Sequence, residues 1–191
     1  MNIIFEICIA CVITTIAVWF DYRERRIPNQ LVFTGMIVGL VIGMVSGGIK
    51  GLAWSALGIL AGIAILFVPF AMGGIGAGDV KLLGAIGAIL GARGALCSML
   101  YGAVAGGLIS IIILARHGRL KFFMISILAW IAGFMGYVIP GSIGRNLRTF
   151  QHTKLLTHTH IPKSGLSIPY SVAIAIGLVI AVITDFQVIG L

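Results

Sequence analysis

Two aspartates carry the chemistry that this sequence suggests. The chain holds only five carboxylates, which are Glu6, Asp21, Glu24, Asp79 and Asp185. Asp21 directly follows the first apolar run and Asp79 directly precedes the fourth, so both fall at predicted helix ends. Two carboxyl groups packed close together can share one proton, because neighbouring like charges resist joint ionisation. The ionised group could then activate a water while the protonated group polarises a peptide carbonyl, as in an aspartyl protease.

Each carboxylate also has a purely structural interpretation. Asp79 follows glycines at a predicted helix start, where an aspartate commonly caps free backbone N–H groups. Asp21 could be a solvated carboxylate paired with a nearby arginine. Glu24 stands between two arginines, so we favour a solvated charge cluster over contact with a basic substrate. Glu6 and Asp185 are predicted to lie toward the opposite membrane face and are poor catalytic candidates.

The glycine-rich segment before Asp79 is the most specific feature. Residues 73–81 read Gly-Gly-Ile-Gly-Ala-Gly-Asp-Val-Lys, and glycines leave room for an extended backbone to approach the aspartate. A phosphate-binding loop would need a preceding strand and a Gly-Lys-Ser/Thr ending, and neither is present. Lys81 could bias Asp79 toward ionisation or extend to the lipid head groups; we favour the second interpretation.

Other catalytic apparatus is not indicated. The sequence contains neither a G-x-S-x-G nor an H-E-x-x-H motif, and its four histidines fall in polar segments without companion ligands. Cys8 and Cys11 form a C-x-x-C within an apolar run, with no second pair to complete a zinc site. We therefore expect no metal and no cofactor.

The elements that hold these residues are predicted to lie in a membrane. Of 191 residues, 60% are hydrophobic and 9% are charged, whereas a soluble domain of this size exposes roughly a third of its unfolded surface to water. The net charge of +8 comes from basic residues between apolar runs. That pattern indicates membrane orientation and contact with anionic lipids, and nucleic-acid binding is not expected.

Seven apolar runs predict an all-α polytopic membrane helix bundle, formed as one domain over residues 1–191. They cover residues 3–20, 31–45, 51–72, 80–90, 95–115, 122–139 and 168–183. If the run 122–139 crosses, there are seven transmembrane helices. If it does not, there are six, and only Lys50 and Arg93 lie outside, which the positive-inside bias favours. Segments 21–30, 73–81 and 116–167 then face the cytoplasm.

Three patches in this sequence resemble a known family. Gly76-Ala77-Gly78-Asp79 is similar to the signature of the GxGD aspartyl proteases, in particular the type IV prepilin peptidases. Asp21 followed by Arg26-Ile27-Pro28-Asn29 resembles that family's first catalytic aspartate and its R-x-I-P-N segment. Residues 168–177 are similar to the start of its last span. The patches occur in the family's order and extend over nearly the whole chain.

The resemblance implies an intramembrane endopeptidase that cuts basic leaders from prepilin or pseudopilin precursors. Its catalytic residues would be Asp21 and Asp79, near the cytoplasmic face of the cell inner membrane. The residues that shape the site or meet substrate would be Arg26, Pro28, Asn29, Gly76, Gly78 and Lys81. Larger relatives carry a cytoplasmic segment with paired C-x-x-C motifs and also methylate the new amino terminus. This sequence lacks that segment, so it resembles the short form without N-methyltransferase activity.

Two other functions stay open at this point. In a small proton- or cation-coupled transporter subunit, Asp21 and Asp79 would relay ions, since intramembrane carboxylates commonly mark such paths. An inactive scaffold for pilus assembly is the second alternative. Sequence reasoning also leaves open which aspartate is the base, because such a pair titrates as a unit. It assigns neither the precise substrate nor the oligomeric state.

Overall fold

Every regular element in the described part of the chain is an α-helix. The computed structural model describes residues 3–116, 118, 124–125, 127–128, 131 and 170–188. Within them lie α1 (Ile3–Glu24), α2 (Asn29–Ala71), α3 (Ala77–Arg116) and α4 (Tyr170–Val188). The predicted all-α class is therefore confirmed, and α1, α2 and α3 are each long and apolar enough to cross a membrane. The number of spans stays a prediction, because most of the run 122–139 lies outside the described residues.

A short reversal joins α1 to α2. The α1 helix ends at Glu24, and Arg25 adopts a left-handed conformation with φ 53°. Its backbone N–H donates to the Asp21 carbonyl oxygen at 2.9 Å, as at many helix C-termini. Pro28 disfavours helix in the residue before it and directly precedes the first residue of α2. Asp21 and Asn29 consequently lie at neighbouring helix ends.

The long α2 helix folds back on itself at Gly48. A straight helix of 43 residues would measure about 65 Å, roughly twice the hydrocarbon thickness of a bilayer. Gly48 has φ 59° and ψ −142°, which a glycine adopts without steric cost. The Ser55 hydroxyl donates to the Gly39 carbonyl oxygen at 3.2 Å across the resulting hairpin. The limbs 29–47 and 49–71 therefore run antiparallel, side by side.

The α3 helix has a second break, at Gly91, where φ is 75° and ψ is 176°. A Cβ built on Gly87 would lie 3.4 Å from the Cβ of Ala95, so the two sides of this break also pack together. The limb before the break is the most buried segment described, with Asp79, Val80 and all of residues 82–89 buried. This limb is the centre of the bundle and begins at the glycine-rich segment.

Glycines let the helices around this limb approach closely. A Cβ on Gly58 would overlap the Gly87 carbonyl oxygen, and one on Gly62 would lie 2.5 Å from the Leu83 carbonyl oxygen. A Cβ on Gly102 would lie 2.9 Å from the Ala173 carbonyl oxygen of α4. Such contacts replace the hydrophobic driving force that is missing between helices in lipid. The small-residue spacings in the sequence thus correspond to backbone contacts.

The chain divides into two compact units, residues 1–107 with 168–191, and residues 108–167. In the first unit, α1 packs against both α2 and α4. In the second, the structure describes the end of α3, Gly118 and helical residues between 124 and 131. The prediction of a single domain remains a prediction.

Candidate active site

Asp21 lies in the last turn of α1 and is held by the start of α4. The Ser171 hydroxyl donates to Asp21 Oδ2 at 2.5 Å. Ser171 is fully buried, at 0% exposure, and is the second residue of α4. Asp21 itself is half-buried. A contact across 150 residues of sequence therefore fixes the orientation of this carboxyl group.

Asp79 is the third residue of α3 and one of the few buried charged groups, with 8% of its surface exposed. Its backbone N–H donates to the Gly76 carbonyl oxygen at 3.2 Å, and the Gly76 N–H donates in turn to the Asp79 carboxyl. Reciprocal bonds of this kind resemble a capping box, in which the third helical residue reaches back. Asp79 Oδ1 has no hydrogen-bond partner among the described residues.

The capping interpretation of Asp79 therefore needs correction. Because α3 begins at Ala77, Asp79 is not the residue that precedes the helix. Only one side of its carboxyl serves the helix start, toward Gly76. The other oxygen is buried and has no partner in the part of the chain that the structure describes, which is costly for a group that only stabilises a helix end. Capping alone does not explain this arrangement.

The two carboxyl groups lie close enough for their charges to repel each other. The Tyr170 side chain of α4 is half-buried and lies within electrostatic reach of Asp79. Three helices thus contribute to one place: α1 through Asp21, α3 through Asp79, and α4 through Tyr170 and Ser171. Such a pair can bind one proton between its members and hold a water at a carbonyl group.

The two signature segments contact each other beside the pair. A Cβ on Gly78 would lie 3.1 Å from Ile27 Cβ, so the absence of a side chain at Gly78 lets these segments pack. Gly76 is exposed, and a Cβ there would lie 3.3 Å from Asp79 Oδ2. Pro28 precedes the start of α2, and Arg26 is exposed. The sequence-predicted site residues therefore gather around the starts of α2 and α3.

Lys81 has a contact that the sequence analysis did not predict. Its Nζ donates to Asn29 Oδ1 at 2.8 Å and stands 5.6 Å from the centre of the Phe33 ring. Both partners belong to the first turns of α2. A cation over an aromatic face and a charge-assisted hydrogen bond each favour this position. Lys81 therefore ties the start of α3 to the start of α2.

Sequence reasoning missed Ser171 and Tyr170 as site residues. Both lie within the third sequence patch, at the start of an apolar helix. The available signal is a pair of hydroxyl groups at that helix start, where bundle residues are otherwise apolar. A serine or tyrosine there also fits simple packing, so the contact with Asp21 needed the tertiary structure.

Glu6 lies apart from this site. It is half-buried near the start of α1. It lines a cavity of about 310 Å³ together with residues that include Gly47, Trp54, Ser55 and Gly91. The Asp185 side chain is outside what the structure describes, as are the four histidines. Among the described residues, no group of three or more His, Cys, Asp or Glu could hold a metal ion.

Comparison with known proteins bears on the same segments. The model of the type IV leader peptidase family matches residues 8–111, more than half of the chain. The matched range includes both aspartates, the Arg26–Asn29 segment and the glycine-rich segment. No curated protein and no solved structure matches the chain.

Proposed function

This chain belongs to the type IV leader peptidase family, and from that premise we propose that it is an intramembrane aspartyl endopeptidase. Membership of the family supports a protease, and three long apolar helices support a membrane protein. The observation that carries the aspartyl mechanism is the convergence of Asp21 and buried Asp79 from separate helices. Two carboxyl groups that repel each other in a partly buried site are suited to sharing a proton.

The pair can hydrolyse a peptide bond without further groups. The ionised aspartate takes a proton from water as the water oxygen attacks the carbonyl carbon, and the protonated aspartate gives its proton to the carbonyl oxygen. The absence of a side chain at exposed Gly76, and an Asp79 Oδ1 that has no partner among the described residues, support a substrate backbone approaching this carboxyl. Neither a metal nor a cofactor is required for this reaction.

We propose that the substrates are prepilin-like precursors, cut at the cytoplasmic face of the inner membrane. The leader would lie in the cytoplasm, and the apolar segment that follows would lie among the helices. The exposed arginines after Asp21 support a cytoplasmic position for this end of the bundle. We also propose that the chain does not methylate the product, because its three cysteines lie on α1 and α3 rather than in paired cytoplasmic motifs.

Precursor cleavage tests this proposal. The chain is co-expressed with a prepilin-like precursor from the same genome, and the precursor size is followed by immunoblot. Asp21→Asn and Asp79→Asn should each abolish cleavage, because removal of one acid–base group commonly costs about 10² to 10⁴ in rate.

Glu6→Gln is the matched control, since it removes a half-buried carboxylate from the other end of α1. This variant should cleave like the wild type. Cleavage that survives either aspartate change would contradict the mechanism. Partial function of Asp79→Glu in a proton-flux assay, together with an uncut precursor, would instead favour a transporter.

A further inference from the structure

The two carboxyl groups of the site have unlike surroundings. Asp21 is half-buried and accepts a hydrogen bond from the Ser171 hydroxyl. Asp79 is 8% exposed, and its Oδ1 has no partner in the described part of the chain. Environments that differ in this way divide the roles of acid and base between two carboxyl groups. The proposed function leaves that division open.

Asp21 has a hydrogen-bond donor at its carboxyl group. A hydroxyl that donates to a carboxylate forms a charge-assisted bond, which is stronger than a bond between neutral groups. The Ser171 hydroxyl is therefore a partner that suits Asp21 as a carboxylate.

The surroundings of Asp79 favour its neutral form. Burial removes water from the carboxyl, and a negative Asp21 repels a second charge. The Gly76 N–H acts in the opposite direction, but its effect is smaller than those of burial and repulsion. An unpartnered buried oxygen adds to the cost of ionisation. One proton shared by the pair therefore resides on Asp79.

We propose that Ser171 is a positioning residue that holds Asp21 ionised as the base, and that Asp79 is the proton donor of the pair. This inference rests on the proposed peptidase function. Asp21 takes a proton from water, the water oxygen bonds to the carbonyl carbon, and Asp79 protonates the carbonyl oxygen. The carbon–nitrogen bond then breaks as the nitrogen takes the proton from Asp21. Asp79 regains its proton from a hydroxyl of the tetrahedral intermediate.

Several other titratable groups surround the pair. Tyr170 of α4 lies within reach of Asp79. Lys81 of α3 is engaged by Asn29, and the residues 22–26 at the end of α1 and in the following turn are exposed. The α2 helix brings no titratable group to this end, because its single one is Lys50 at the far hairpin. None of these is removed by a change at Ser171.

The pH dependence of kcat/KM tests the proposal. Full-length wild type and Ser171→Ala are reconstituted in lipid and assayed with a prepilin-like precursor over acidic and alkaline pH. In a profile of this kind, the acidic limb reports the first ionisation of the pair and the alkaline limb the second. The Ser171 bond favours ionised Asp21. If Asp21 ionises first, loss of the Ser171 bond makes the first ionisation harder and moves the acidic limb to higher pH.

We expect the acidic limb of Ser171→Ala to move by about one pH unit toward higher pH, with the alkaline limb unchanged. At a given pH on the acidic limb, kcat/KM of Ser171→Ala should be about tenfold below that of the wild type, and at the plateau the two should differ much less. If Asp79 were the base, the same bond would act on the second ionisation. The alkaline limb would then move instead, and the proposal would be overturned. A loss of activity without movement of either limb would also overturn it, since it would indicate a purely structural role.

Ser98→Ala is the matched control. Ser98 is another fully buried serine of the bundle, and its hydroxyl has no partner among the described residues. Its removal should leave both limbs in place, as should Ser171→Thr, which keeps the donor. If Ser171→Ala does not fold, Ser171→Cys replaces it, because a thiol of similar size donates only weakly. Wild type that cuts no precursor would overturn the proposed function itself. Wild type that cuts, with an unmoved acidic limb in Ser171→Ala, would overturn this inference alone.

Discussion

Glycines perform opposite tasks in two regions of this molecule. In the segment before α3, a Cβ on Gly73 would meet no atom of the described residues within 4 Å, and one on Gly76 would meet an Asp79 oxygen at 3.3 Å. In the helix contacts, a Cβ on Gly58 or Gly177 would overlap the backbone of a neighbouring helix. The sequence presents both regions as glycine-rich. Glycines before α3 therefore leave the surroundings of Asp79 free of side chains, whereas glycines in the helix contacts remove space between helices.

The largest effect should follow from filling the helix contact. In Gly58→Ala, the added methyl group would meet the Gly87 carbonyl group, which is backbone and cannot rotate away. We expect a loss of stability on the order of 3 kcal/mol or more, because overpacking without relief exceeds the usual range. Detergent-solubilised protein should aggregate or unfold at a much lower temperature, as measured by size-exclusion chromatography and thermal unfolding.

Gly107→Ala is the control for this change. Gly107 is also within a helix, but a Cβ there would meet no atom of the described residues within 4 Å. The variant should be at least as stable as the wild type, since alanine is favoured over glycine in helices by about 1 kcal/mol. Equal stability of the two variants would contradict this prediction, because it would mean that Gly58 is not a packing contact.

The fold could be predicted from the sequence more fully than the site. Apolar runs predicted the helices well, and the gaps after residues 45 and 90 coincide with the breaks at Gly48 and Gly91. Apolar content and glycine spacing are local properties of the sequence. They predict the helices because apolar runs span the bilayer and small residues let helices pack closely. The family resemblance is confirmed by the match over residues 8–111.

The site was predictable only in part, because its contacts join distant positions. Local patterns located Asp21 and Asp79 at helix ends. The Ser171 contact joins residues 150 positions apart, and a serine at a helix start predicts packing as readily as it predicts a carboxylate partner. The sequence likewise predicted that Lys81 contacts lipid. Its partner Asn29 could be identified only from the structure, in which α2 and α3 begin side by side.

A smaller effect, on activity rather than stability, should follow from filling the clearance at the site. In Gly76→Ala, the added Cβ would lie 3.3 Å from Asp79 Oδ2, so the carboxyl must move by a few tenths of an ångström. We expect kcat to fall about tenfold, because displacements of about 1 Å in catalytic groups cost roughly 10²-fold. The free energy of unfolding should change by less than about 0.5 kcal/mol, because Gly76 is exposed.

Single-turnover cleavage of a precursor measures this change directly. Gly74→Ala is the control, because a Cβ there would lie 3.4 Å from a carbonyl oxygen of α2 and not beside Asp79. It should retain most of the wild-type rate. A Gly76→Ala variant that is strongly destabilised but catalytically normal would reverse the distinction between the two regions.

The smallest effect concerns a position where the backbone favours glycine and the sequence has arginine. Arg25 follows α1 with φ 53°, a conformation that glycine adopts at helix ends without the cost of a Cβ. Arg25→Gly should therefore stabilise the protein, by about 0.5 to 1 kcal/mol after the greater freedom of glycine in the unfolded chain is subtracted.

Arg23→Gly is the matched change inside the last turn of α1. It should destabilise by a similar amount, because glycine is unfavourable within a helix. Opposite signs for two arginine-to-glycine changes, measured by thermal unfolding, would show that backbone conformation rather than charge decides the outcome. A decrease in stability for both variants would mean that the charge or contacts of Arg25 outweigh its strained backbone. Glycine would then offer no advantage at this end of α1.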